Sequence, residues 1–172
     1  MFLKKTLYII ISVVFVGCTN SENYVITKID LSEYKGINID SNNILVQNSS
    51  NNKIEYPYID HLIENNVNYY INEWINYRIA PNYLAENTIK ITIKNANIKA
   101  FSLEDNNKIE DIFIYKAGIR LEVDIYMIIE IIGPNSNNLA YLDLKAFKSK
   151  ELTENISLNE KDFEIQNIIN DT

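Results

Sequence analysis

From Ile119 to Ile131 every second residue is apolar: Ile119, Leu121, Val123, Ile125, Met127, Ile129 and Ile131 alternate with positions that include Arg120, Glu122, Asp124, Tyr126 and Glu130. A period of two sends successive side chains to opposite faces of a strand, so this run can only be satisfied as a long strand with one dry face and one wet face. Half-wet strands belong to antiparallel sheets. The polar string Gly133-Pro134-Asn135-Ser136-Asn137-Asn138 follows as a turn, and Leu139 to Lys150 then returns as the hairpin partner.

A second alternating run covers Thr88 to Phe101, where Ile89, Ile91 and Ile93 alternate with Lys90, Thr92 and Lys94 before the apolar positions move to Ala96, Ile98 and Ala100. Such a change of parity would turn the later side chains onto the wrong face unless one residue is inserted, so a bulge or kink is expected near Lys94-Asn95. Upstream, Tyr24 to Leu31 reads as a strand or extended lead-in. Ile37 to Val46 reads as a strand interrupted at Ser41-Asn42-Asn43, with a polar loop over Asn48 to Lys53. Ser102 to Glu110 reads as a charged connection.

Two helices are expected. In the first, Pro57 sits near the start, and Ile59, Leu62, Ile63, Val67, Tyr70, Ile71, Trp74, Ile75, Arg78 and Ile79 form one broad stripe opposite Asp60, Glu64, Asn65, Asn68 and Asn72. It should stop before Pro81, because proline disfavours helical geometry in the residue ahead of it. The second opens at Ser157-Leu158-Asn159-Glu160, a capping box in which side chains at both ends satisfy amides the first turn leaves unpaired. Phe163, Ile165, Ile168 and Ile169 supply its apolar side. The expected fold class is α+β: a two-layer sandwich with a mainly antiparallel sheet of about four strands carrying two helices on one face.

With 172 residues, 47% hydrophobic and 23% charged, the chain lies in the ordinary globular range. Its skew toward Ile, Tyr, Asn and Lys fits an AT-rich genome, so single residues of those types carry little functional weight. The N-terminus is different in kind. Lys4 and Lys5 make a short positive region, and Leu7 to Val16 is an apolar run interrupted by Ser12 that is too short to span a bilayer, for which about 20 residues are needed. It closes on Phe15-Val16-Gly17-Cys18, which resembles the lipobox of bacterial lipoproteins, with Phe15 where an aliphatic residue is usual. That resemblance implies cleavage between Gly17 and Cys18 and a diacylglycerol thioether on Cys18. Acyl chains contribute about 0.8 kcal/mol per buried CH₂, so two or more hold a protein on a membrane. The expected division is a lipoprotein signal peptide over 1–17, a lipidated polar tether over 18–23 and a single α+β domain over 24–172. Losing Lys4 and Lys5 with the leader takes the formal charge two units below −7, which disfavours nucleic acid and anionic headgroups as partners. Thr19 stands where enterobacterial lipoproteins retained in the inner membrane carry Asp, and this implies a periplasm-facing anchor in the outer membrane rather than the inner.

From about Ile37 onward the order of short motifs is similar to that of an uncharacterised lipoprotein family of alphaproteobacteria. These motifs are Tyr56-Pro57-Tyr58-Ile59-Asp60-His61-Leu62, then Trp74, then Arg120-Leu121-Glu122-Val123, then Ile156-Ser157-Leu158-Asn159-Glu160. The family brings no activity with it. The expected fold is similar to that of the lipopolysaccharide-transport lipoprotein that plugs its translocon and to auxiliary lipoproteins of lipid-trafficking transporters, an analogy of fold alone.

The residues offer little for catalysis. Cys18, the sole cysteine, is assigned to lipid and His61 is the sole histidine. No His/Cys spacing suits a metal, no glycine-rich loop suits phosphate, and no cofactor is expected. The carboxylate pairs Glu104-Asp105, Glu110-Asp111 and Glu122/Asp124 read as a solvated face. His61 beside Asp60 is a switch or partner contact on one reading and a partly buried packing residue on the other. Tyr58 and Tyr69 join His61 as candidate partner contacts, because aromatic residues are favoured at interfaces. Two functions fit: a non-catalytic interaction or assembly partner of an envelope protein or transport machine, or a binder of lipid or another hydrophobic ligand between sheet and helices.

Overall fold

In the computed structural model, described over residues 35–51, 53–103, 118–154 and 156–172, the elements run β1 (Ile37–Ile39), β2 (Asn43–Asn48), a 3-10 turn (Asp60–Leu62), α1 (Val67–Arg78), β3 (Ile79–Pro81), β4 (Thr88–Ser102), β5 (Ile119–Ile132), β6 (Asn138–Leu152) and α2 (Leu158–Asn170). The leader, Gly17, Cys18, the tether, the expected Tyr24–Leu31 strand, and the connection beyond Leu103, with its carboxylate pairs Glu104-Asp105 and Glu110-Asp111, lie outside the described residues.

The fold is α+β. Four strands pair in the order β2-β4-β5-β6, with β2 parallel to β4 and the other pairings antiparallel, while β1 and β3 form a separate parallel pair. The interruption expected after Ile39 is thus a change of sheet. Ser41, fully buried, sits at that crossing and donates from Oγ to the Ile39 carbonyl at 3.3 Å.

Alternation places the core. In β4, Ile93 opposes Met127 and Asn95 opposes Tyr126, so Lys94 is the inserted residue and Ala96, Ile98 and Ala100 stay on the face of Ile89, Ile91 and Ile93. All six are fully buried beneath the helices, against a layer that includes Val67, Ile71 and Ile75 of α1 and Ile165, Ile168 and Ile169 of α2. Each such isoleucine contributes about 1.5–3 kcal/mol relative to an exposed one. The β5–β6 hairpin runs in register from Ile119 opposite Leu152 to Ile132 opposite Asn138, with one irregularity between Ile131 and Ile132.

The first helix departs from expectation at its start. Pro57 follows a cis peptide, the 3-10 turn covers only Asp60–Leu62, Ile63 is extended at φ −113 and ψ 122, and the α-helix begins afresh at Val67. The Asn66 side chain caps that new start, accepting the Tyr69 N–H at 3.2 Å. The chain before the break serves the sheet instead. Beyond the end of β2, the segment Pro57–Ile59 lies beside β4: the Ala100 N–H donates to the Pro57 carbonyl at 2.9 Å and the Ile59 N–H to the Ile98 carbonyl at 3.1 Å. Asp60 finishes that edge, its two carboxylate oxygens accepting the Ile98 N–H at 3.2 and 3.1 Å. Asp60 and Asn68, expected on the wet side of one continuous helix, are therefore buried, and Asn68 accepts from Asn48 of β2 at 2.9 Å. At α2 the Ser157 hydroxyl accepts the Glu160 N–H at 3.2 Å, as the capping motif requires.

Candidate functional site

The candidate contacts from the sequence do not converge. His61 is exposed on the 3-10 turn, which overturns its reading as a packing residue: the turn is held by the burial of its neighbour Asp60, and adjacent side chains point apart. Tyr58 is half-buried where the chain bridges to Lys99, with the Lys53 ammonium 3.0 Å from its hydroxyl and the Lys99 ammonium 5.5 Å from its ring centre. Tyr69 is exposed on α1, edge-on to Tyr70 at 5.3 Å between ring centres. No hydrogen bond or ring contact joins these three among the described residues.

Two other places stand out. The first is an apolar cleft of about 250 Å³ between the helices and the sheet. Val67, Tyr70, Ile71 and Trp74 of α1 form one wall, Ile125, Met127, Leu144 and Ala146 of the hairpin form the floor, and Ile169, Asn170 and Thr172 close one end. The small side chain of Ala146 in β6 leaves room in this floor. A polar clasp fixes the helices at its rear, where the buried Tyr70 hydroxyl donates to Gln166 Oε1 at 2.5 Å. Burial first, and the neighbouring Tyr69 second, raise the Tyr70 pKa, keeping the hydroxyl a donor.

The second is the outer sheet face, on which no described helix packs. Odd-numbered residues of β6 belong here because they oppose Asp124, Tyr126, Ile128 and Glu130 of β5. Asp143 is the centre of an aromatic patch: Oδ1 accepts from the Tyr126 hydroxyl at 3.0 Å and from the Tyr141 hydroxyl at 2.8 Å. These bonds favour the neutral phenols, raising the Tyr126 pKa and pushing that of Tyr141 up to about 12. The Lys145 ammonium lies 4.9 Å from the Tyr126 ring centre, and Phe147 extends the patch at 64% exposure. Beside it runs a polar groove of about 380 Å³ between β2, β4 and β5, where Lys90 meets Glu130 at 3.3 Å. Glu122 and Asp124 lie on this face as well, each engaged locally, by Arg120 Nε at 3.1 Å and by Asn95 Nδ2 at 2.7 Å.

β6 borders only β5, so its other edge carries unpaired backbone groups among the described residues. Leu139, Tyr141, Leu142 and Phe147 are all more than half exposed on this one strand. Sequence patterning missed the patch because Leu139-Ala140-Tyr141-Leu142 is apolar on both parities and does not reveal which face is covered. Among the described residues no group of three or more His, Cys, Asp and Glu could hold a metal ion, and no helix is long and apolar enough to cross a membrane. Neither a protein-family model nor a curated protein sequence matches the chain.

Proposed function

We propose that this chain is a lipid-anchored protein of the cell envelope whose folded part acts by binding and not by catalysis, as an interaction or assembly partner of an envelope protein or transport machine. The observation that carries the reading is the outer face of the β5–β6 hairpin, where Tyr126 and Tyr141 bond to Asp143 and Phe147 extends the aromatic surface along β6, with no described helix above them. Aromatic residues give large contact areas at low entropic cost, and hydroxyl donors add direction. The anchor rests on Lys4-Lys5, the apolar run to Val16 and the Gly17-Cys18 junction, with the outer membrane favoured by Thr19.

Site-specific photocrosslinking in native envelopes tests the binding surface. A crosslinker at Phe147 should capture a distinct envelope protein that the same crosslinker at exposed Tyr77 of α1 does not; equal capture from both sites would remove the assigned surface. Cys18→Ser tests the anchor: the variant should leave the membrane fraction and keep its fold, and retention after a high-salt wash would refute lipidation.

The apolar cleft supports a second reading, in which an acyl chain or similar hydrophobic ligand lies between helices and sheet. Mass spectrometry of the purified protein, after its covalent lipid is accounted for, should then find one further lipid per chain; a cleft that purifies empty and takes up no fatty acid rejects it.

A further inference from the structure

We infer that the edge of β6 away from β5, unpaired among the described residues, pairs antiparallel with β6 of a second copy of this chain about a two-fold axis at Leu144, resting on the reading of the hairpin as a binding element. A two-fold axis perpendicular to the sheet keeps outer face against outer face, so only residues of like parity can oppose one another. The sequence of β6 then distinguishes the registers. With Leu144 on the axis, Asp143 opposes Lys145 of the second copy and Lys145 opposes its Asp143, giving two opposite-charge pairs on the outer face. Tyr141 opposes Phe147 twice on that same face, and on the helix face Leu144 meets Leu144 while Leu142 meets Ala146. Moving the axis by one residue either way sets Asp143 against Asp143 or Lys145 against Lys145, which like-charge repulsion disfavours.

The other lysines, which ordinarily protect an edge from such pairing, are turned aside here. Lys148 reaches Asp171 at 2.9 Å and Lys150 is bonded to Glu164, both toward α2, while Lys145 lies over the Tyr126 ring on the outer face, two residues along the strand from Asp143. Pairing would join two four-stranded sheets into one of eight and place the two Tyr141–Phe147 pairs at the centre of a continuous outer face.

The test uses the full chain in its native membrane. Directly opposed residues of antiparallel strands lie about 4.5–5.5 Å apart at Cα, within the range that a disulfide spans. Leu144→Cys should therefore crosslink to itself under mild oxidation, whereas Ser149→Cys, far from the axis, and the wild type, with Cys18 alone, should not. In detergent, Asp143→Lys should weaken dimerisation about tenfold, and the swap D143K/K145D should restore it, with circular dichroism reporting an unchanged fold in each. A monomer at every concentration with no crosslink at 144, or equal crosslinking at 144 and 149, overturns the inference. If the wild type is monomeric while Phe147 still captures an envelope protein, self-pairing fails and the binding reading stands; if dimers form and Phe147 captures only the second copy, the reverse holds.

Discussion

Between about pH 4 and pH 6 the stability of this fold should fall, and Asp60 is the reason. Burial raises its pKa from near 3.8 to about 6, with the Ile98 N–H opposing that rise. The folded chain therefore holds a proton in that window that the unfolded chain has lost, and ionising the buried carboxylate disfavours folding. The penalty is absent below the unfolded value and complete above about 6, amounting to at most about 3 kcal/mol. Urea titrations from pH 4 to pH 8 should show a steeper decline in the wild type than in Asp60→Asn, which keeps an oxygen for Ile98 and leaves Asp162, whose pKa burial also raises; parallel profiles would contradict the assignment. Asp60→Ala leaves the buried Ile98 amide without its acceptor and should cost about 1–3 kcal/mol at neutral pH. None of this is visible near position 60 in the sequence, where Asp60 looks like a wet helix residue. Its partner lies 38 positions away, and only the tertiary path of the chain brings the two together. His61 is the converse, a residue made conspicuous by its chemistry and left exposed by its neighbour.

At the scale of elements, local chemistry was most legible where a side chain acts within three or four residues of itself. The Ser157 cap is such a case, and Ser157→Ala should destabilise the protein by about 1 kcal/mol in thermal or urea unfolding. The β4 bulge was equally legible, because two parities of isoleucine and alanine cannot share one face without an inserted residue. The start of α1 was not: the apolar stripe continues through Ile59, Leu62 and Ile63, but Ile59 is bonded to the edge of β4, Leu62 is half exposed and Ile63 is extended. Between the two helices, the Tyr70–Gln166 bond should show strong coupling. Tyr70→Phe alone leaves a buried amide oxygen without its donor, at about 1–3 kcal/mol, while pairing it with Gln166→Leu should recover much of that loss. Additive losses in a double-mutant cycle would show that the clasp contributes no coupling.

For the whole molecule, the α+β class followed from period-two strands and period-3.6 helices, each with one apolar face that the other type of element can cover. The parallel placement of β2 and the separate β1–β3 pair did not follow, since short strands of three to six residues carry no register information of their own. The cleft was foreseen as a space but not as a set of residues, because its walls come from α1, β5, β6 and the C-terminal end of the chain. Trp74 in that wall is the chain's sole tryptophan. The protein thus carries a single indole whose emission reports on one location. Adding a long-chain fatty acid to the purified protein should shift that emission to shorter wavelength as water leaves the cleft, and Ala146→Phe, which fills the floor, should abolish the response. Undocking of α1 should shift it the other way, so a steady-state spectrum separates an occupied cleft from a loosened helix layer without any label.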